Sequence, residues 1–184
     1  MTTPKPASAC SIPANSGPRA WKLPANIDTD VLAPGIYMKL SLEKIAEHCL
    51  ESLDPDFARD VRPGDVIVAG PNFGVGSSRE QAAGVLKSLG IAAVFAPSFA
   101  GLFYRNALNL GLPVYICPQA EDIDDGAIVQ VTTDPSILSY QSGSMTAPTS
   151  IAFEPLPDFL QSMVDAGGLI AQLRQRLDSS TGAA

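Results

Sequence analysis

An apolar strand running into a glycine-rich turn and then a helix is the feature that most limits how this chain can fold. Val66-Ile67-Val68-Ala69 carries no polar side chain, and Asn72-Phe73-Gly74-Val75-Gly76-Ser77-Ser78-Arg79-Glu80-Gln81-Ala82-Ala83 follows it closely. A helix that starts just behind such a turn offers backbone N–H groups without intrahelical partners, at the positive end of the helix dipole. Arg79 adds a planar fork that can grip a carboxylate through two parallel hydrogen bonds. The segment therefore reads as a pocket for a small carboxylic acid, with Ser77 and Ser78 beside the reacting carbon. The plainer alternative is a tight turn capped by Ser77 or Ser78, with Arg79 in solvent on the first helical turn.

Two better-known glycine loops are excluded. A phosphate loop needs Gly-Lys-Ser/Thr, whereas Gly76 is followed by Ser77, Ser78 and Arg79, so no lysine reaches a terminal phosphate. The dinucleotide fingerprint lacks its third glycine. The net charge of -7 leaves no basic stripe for nucleic acid, which also makes any basic pocket a local affair of Arg79, Arg105 and Lys39. No apolar run approaches the ~20 residues that cross a bilayer. Three cysteines without a close pair, and a single histidine, suit a reducing cytoplasm and give no metal site of usual spacing.

Along the chain the pattern is that of one domain. Residues 1–19 read as a flexible N-terminal tail, 20–178 as a single domain and 179–184 as a C-terminal tail. Short apolar runs at 20–23, 66–69, 91–96 and 113–117 alternate with helical patterns at 41–50, 81–89 and 98–109. The middle of the chain thus implies a mostly parallel sheet flanked by helices, with ligands at the carboxyl ends of the strands. Ser41 and Ser98 are candidate helix caps, and Gly90 is a stop signal for the motif helix. Strands at 127–133 and 149–153 suggest a smaller second sheet, and 156–177 reads as one final amphipathic helix.

Several blocks, in order, resemble the small subunits of 3-isopropylmalate dehydratases, and so the swivelling β/β/α domain of the aconitase superfamily. They are Asn26-Ile27-Asp28-Thr29-Asp30, Gly64-Asp65-Val66-Ile67-Val68-Ala69-Gly70, the run from Asn72 to Glu80, and Ser98-Phe99-Ala100 with Phe103-Tyr104-Arg105-Asn106. Together they span residues 26–118, about half of the chain. The resemblance implies a hydro-lyase that dehydrates and rehydrates a hydroxy acid, most simply 3-isopropylmalate in leucine synthesis. It also implies a separate large subunit that carries a [4Fe–4S] cluster, with no cofactor on this chain. A homoaconitase, citraconate or dimethylmaleate hydratase subunit, or a non-catalytic carboxylate-binding module, is the alternative.

By motif position the resemblance makes Ser77 the base, Ser78 a neighbouring substrate-binding serine and Arg79 the substrate-carboxylate ligand. Asn72, Gly74, Gly76 and Arg105 would support the site. The loop Ile36-Tyr37-Met38-Lys39 would meet the variable part of the substrate, with Tyr37, Met38 and Lys39 as contacts. Lys39 either pairs with a third carboxylate or stands in solvent. This chain departs from the family at Gln81, where a histidine is usual, and at Val75, where cysteine or serine is frequent. Outside the motif, His48 reads as a packing residue, and Asp28 and Asp30 as makers of Asx-turn hydrogen bonds.

Overall fold

Residues 17–143 and 145–181 are described by the computed structural model of the protein. Four strands, Ala20–Leu23 (β1), Val66–Ala69 (β2), Ala93–Ala96 (β3) and Val114–Ile116 (β4), pair in parallel in the order β1-β2-β3-β4. Every residue of β2 and β3 is buried, which is why neither strand alternates apolar with polar side chains. Between the strands run the short helices Thr29–Leu32 (α1), Leu42–Ala46 (α2) and Phe57–Asp60 (α3), then Glu80–Ser88 (α4) and Gly101–Leu110 (α5). Helix α4 packs between α2 and α5, so the helix behind the glycine turn is held on both flanks.

A second sheet, Ile128–Thr133 (β5), Ser136–Gln141 (β6) and Thr149–Ala152 (β7), is antiparallel with β6 in the centre. It joins the first sheet through backbone. Ala20 N–H donates to Ala127 O at 2.8 Å, and Glu154 N–H to Ile116 O at 2.8 Å. Just past β7, Phe153 inserts its ring against Phe95 and Tyr115, with centroids 5.2 and 4.5 Å away, so the two sheets share one core. The buried Asp65 pins the start of the domain: its carboxylate accepts from the backbone N–H of Arg19 and Arg62 and from Trp21 Nε1, at 2.8, 3.0 and 2.9 Å.

Several sequence expectations need correcting. The central strand β6 lies outside the strands expected from the sequence: in Ser136-Ile137-Leu138-Ser139-Tyr140-Gln141 the apolar Ile137, Leu138 and Tyr140 are interrupted by serine and flanked by polar residues, so no continuous apolar run marks it. The final helix is two helices, Asp158–Asp165 (α6) and Leu169–Thr181 (α7), divided at Gly167 and Gly168 with φ of 90° and 114°. A side chain at Gly168 would lie 2.5 Å from Asn109 O, so this break also lets the chain pass close to α5. Ser98 does not cap α5: the helix starts at Gly101 behind Ala100, and Ser98 Oγ accepts the Asn72 N–H at 2.9 Å. Helix α2 gives way to turns after Ala46, sooner than the 41–50 pattern suggests. Backbone pairing already begins at Pro18, whose carbonyl accepts from Val129 N–H at 2.9 Å, while residues 1–16 of the expected tail lie outside the described residues.

Candidate active site

Because β1 and β2 are neighbours running the same way, the loops leaving their carboxyl ends emerge side by side. Those loops are stitched together. Asn26 N–H donates to Pro71 O at 2.9 Å, and Gly74 and Val75 N–H both donate to Ile27 O, at 2.8 and 3.0 Å. Thr29 N–H returns a bond to Val75 O at 2.8 Å. Asn72 and Asn26, both in the left-handed backbone region that Asn tolerates, add a side-chain bond of 2.8 Å. On the other side Phe73 pairs with the segment before α5, through Phe73 N–H to Ser98 O and Ala100 N–H to Phe73 O at 3.0 and 2.9 Å.

Two glycines make this close approach feasible. Gly74 has φ of 80°, and a Cβ there would lie 2.2 Å from the ring of Phe103. Gly76 has φ of 98°, and a Cβ there would lie 2.6 Å from the Asp28 carboxylate. Both positions combine a left-handed backbone with no room for a side chain, which only glycine satisfies.

The turn presents Ser77, Ser78 and Arg79 in sequence. Ser77 and Ser78 are exposed and Arg79 is half-buried. Neither serine caps α4, contrary to the plainer sequence reading; the cap position is Arg79 itself, with no side-chain cap bond. Ser77 is tied instead to Thr29, whose Oγ1 accepts the Ser77 N–H at 3.0 Å and lies 3.3 Å from Ser77 Oγ. The Ser78 carbonyl accepts from Asn106 Nδ2 at 3.2 Å. Asn106 thus makes the link from α5; Arg105 is exposed and forms no hydrogen bond or ion pair among the described residues.

Arg79 is not in solvent. Its Nη1 donates to Asp30 Oδ1 and, at 3.0 Å, to the Ala33 carbonyl. Asp28 caps α1 by accepting the Asp30 N–H at 2.7 Å, as Asx-turn chemistry predicts, but Asp30 is the arginine's partner. The Arg79 guanidinium, and then the Gly35 N–H, hold the Asp30 carboxyl below the usual carboxylate range. Nε and Nη2 of Arg79 have no partner among the described residues, so one edge of the fork stays available to an incoming carboxylate.

The neighbouring loop is anchored to the same pair. Gly35 N–H donates to Asp30 Oδ1 at 2.9 Å, and a Cβ at Gly35 would lie 3.2 Å from Arg79 Nη2. From there the chain makes one tight turn, Gly35–Tyr37. The Tyr37 ring stacks on His48 at a centroid distance of 3.6 Å and an interplanar angle of 14°, and His48 Nδ1 lies 2.6 Å from Glu51. His48 therefore packs, as its sequence context suggests, and it packs on the candidate substrate loop. Met38 is half-buried; Lys39 is exposed and its side chain makes no hydrogen bond or ion pair among the described residues. Thr29 went unnoticed as a partner of Ser77 in the sequence, although it stands inside the Asn26-to-Asp30 block.

Among the described residues no three His, Cys, Asp or Glu side chains gather as a metal-binding group, and no helix is long and apolar enough to cross a membrane. Cys49 and Cys117 are buried free thiols.

A four-stranded parallel sheet beside a small antiparallel one, with a serine-arginine turn at the strand ends, defines an aconitase-type C-terminal domain, and residues 46–118 match the aconitase C-terminal domain family. Comparison with known proteins narrows this. The 3-isopropylmalate dehydratase small subunit of Nautilia profundicola is 42% identical over 86% of this chain and 94% of its own length. The methanogen homoaconitase small subunit of Methanothermobacter thermautotrophicus is 43% identical over 88% and 92%. The crystal structure of 3-isopropylmalate dehydratase from Methanocaldococcus jannaschii superposes with a TM-score of 0.84 at 38% identity, covering 91% of this chain and 98% of that one. The chain belongs to the 3-isopropylmalate dehydratase small-subunit family.

Proposed function

We propose that this protein is the small subunit of a two-component hydro-lyase that interconverts 3-isopropylmalate and 2-isopropylmalate in leucine synthesis. Ser77 is the base and Arg79 the carboxylate ligand. The observation that carries the reading is the placement of a guanidinium edge of Arg79, unpartnered among the described residues, two residues from the exposed hydroxyl of Ser77, on a turn hydrogen-bonded to the loops on both sides. Ser77 Oγ, as an alkoxide, takes the proton from the carbon next to a substrate carboxylate. The electron pair left on that carbon spreads into the carboxylate, and the free edge of Arg79 binds the charge as it grows. Ser78, next on the turn, hydrogen-bonds the substrate.

The large subunit bears the [4Fe–4S] cluster, which supplies Lewis-acid chemistry at the departing hydroxyl. The two described cysteines of this chain are buried in its core and take no part. Buried free thiols also suit work in the cytoplasm. The amide of Gln81, at the head of α4, can donate and accept hydrogen bonds but cannot carry a proton, so proton transfer does not pass through it.

A second reading, a homoaconitase subunit, is favoured by one feature. Lys39 is an exposed cation on the candidate substrate loop with no partner among the described residues, and the similar methanogen protein is named a homoaconitase small subunit. The test is anaerobic co-purification of this chain with its partner, followed by assay of 3-isopropylmalate and homoaconitate with wild type and Ser77→Ala. A larger partner containing iron and sulfide, with activity lost in Ser77→Ala, is the expected result. No such partner, or full activity in Ser77→Ala, overturns the reading in favour of a binding module.

A further inference from the structure

We infer that Thr29 is a positioning residue for the base: its hydroxyl proton is donated to Ser77 Oγ and holds that oxygen as the alkoxide. The inference rests on the proposed role of Ser77 and extends it to a residue forty-eight positions away in the chain.

The proton count around Thr29 Oγ1 decides the direction of the bond. A threonine hydroxyl has one proton to give and two lone pairs to receive. One lone pair already takes the Ser77 N–H at 3.0 Å. The second contact, to Ser77 Oγ at 3.3 Å, is between two hydroxyls, and either can donate while both are neutral. Once Ser77 is an alkoxide it has no proton left, so Thr29 must be the donor. A hydrogen bond to the charged form favours that form and lowers the pKa of the base.

Thr29 is also placed so that its hydroxyl has little freedom to turn elsewhere. Its residue is 1% exposed. Its N–H donates to Val75 O at 2.8 Å, and its carbonyl accepts the Ala33 N–H at 2.9 Å, so backbone on both sides fixes it in α1. The charged groups nearby are otherwise engaged. Asp28 caps α1, Asp30 and Arg79 bind one another, and Glu80 begins α4; none of them bonds to Ser77 Oγ. Among the described residues Thr29 is the one hydrogen-bonding partner of the Ser77 hydroxyl.

The proton balance is simple. Ser77 loses its proton to solvent in the resting enzyme and then receives the substrate's C–H proton, while the C–H electron pair stays on the substrate. Thr29 keeps its own proton throughout.

The test uses the assembled two-subunit enzyme with Thr29→Val, Thr29→Ser and, in parallel, Ser77→Ala. Valine keeps the shape and removes the hydroxyl, and the expected result is a fall in kcat of roughly 100-fold with KM within about twofold. The rising limb of the kcat–pH profile should move to higher pH by about one to two pH units. Thr29→Ser should restore both. If Thr29→Val does not assemble, Thr29→Ala is compared with Thr29→Ser on the same two readings. A hydroxyl-free variant whose rising limb stays in place overturns the inference, even if its stability or KM has changed. Full activity in Ser77→Ala is a separate failure: it removes Ser77 as the base and Thr29 with it.

Discussion

Asp30 holds Arg79 with the same carboxylate oxygen that accepts the Gly35 N–H. One atom therefore joins the arginine proposed to bind substrate carboxylate to the start of the loop proposed to meet the rest of the substrate. Occupancy of the loop and aim of the guanidinium are coupled through it.

Replacing Asp30 by Asn keeps the shape and removes the charge. In the assembled enzyme KM should rise roughly 3- to 10-fold, with kcat less affected, because Arg79 loses the partner that orients it. The acid dependence has a definite sign. The folded-state carboxyl is held below its ordinary value, so its contribution to stability is fully present above the unfolded-state value and is lost as pH falls through the lowered one. Thermal unfolding of wild type and Asp30→Asn should therefore differ by a constant amount near neutrality, with the difference starting to shrink below about pH 4 and vanishing only once the pH is under the lowered folded-state value. A difference that stays undiminished as the pH is taken well below the ordinary carboxylate range would refute the ion-pair account.

Gly74→Ala should destabilise the domain by about 2–4 kcal/mol, adding a left-handed backbone penalty to a collision with Phe103. Gly101→Ala is the matched control, since a Cβ there meets nothing within 4 Å at the start of α5. Urea midpoints of the two variants check this; equal midpoints would show that the turn yields.

Lys39→Leu should leave kcat/KM for 3-isopropylmalate within about threefold, as expected for an exposed lysine without a partner among the described residues. A tenfold loss confined to an acid with a third carboxylate would identify this lysine as the discriminating cation and make the homoaconitase reading the better one.

Burial pushes the Cys49 and Cys117 thiols up, away from the reactive thiolate. In a Cys10→Ser chain, a thiol reagent at pH 8 should label nothing faster than the core opens. The check is whether added urea, rather than added reagent, sets the rate. Prompt labelling of either thiol in native buffer would contradict the buried placement.

The parallel sheet was legible because β2 and β3 are apolar on both faces and each is followed by a helical pattern. The turn was legible because glycines at 74 and 76, with serines and an arginine behind them, form a local pattern. What escaped was non-local. The partners Asp30 and Arg79 are 49 residues apart, and nothing in either sequence neighbourhood announces the other. Thr29 looked like one polar residue in a polar loop, and only burial distinguishes it. Strand β6 is stabilised by pairing on both sides with β5 and β7, which propensity along its own six residues does not report. The division of the last helix was written in Gly167-Gly168, but the apolar spacing continues across it, so periodicity hid the break.

The turn at Asn72 to Arg79 is bonded to the loop before α1 on one side and to the segment before α5 on the other, with Phe73, Phe99 and Phe103 edge to face or stacked beneath it. Such a turn cannot act as a lid. On the proposed division of labour, substrate and product pass through the seam between this chain and the large subunit, and where release through that seam limits turnover the rate follows how fast the seam parts. Solvent viscosity, which slows whole-domain displacement far more than bond-making, becomes a variable of the chemistry.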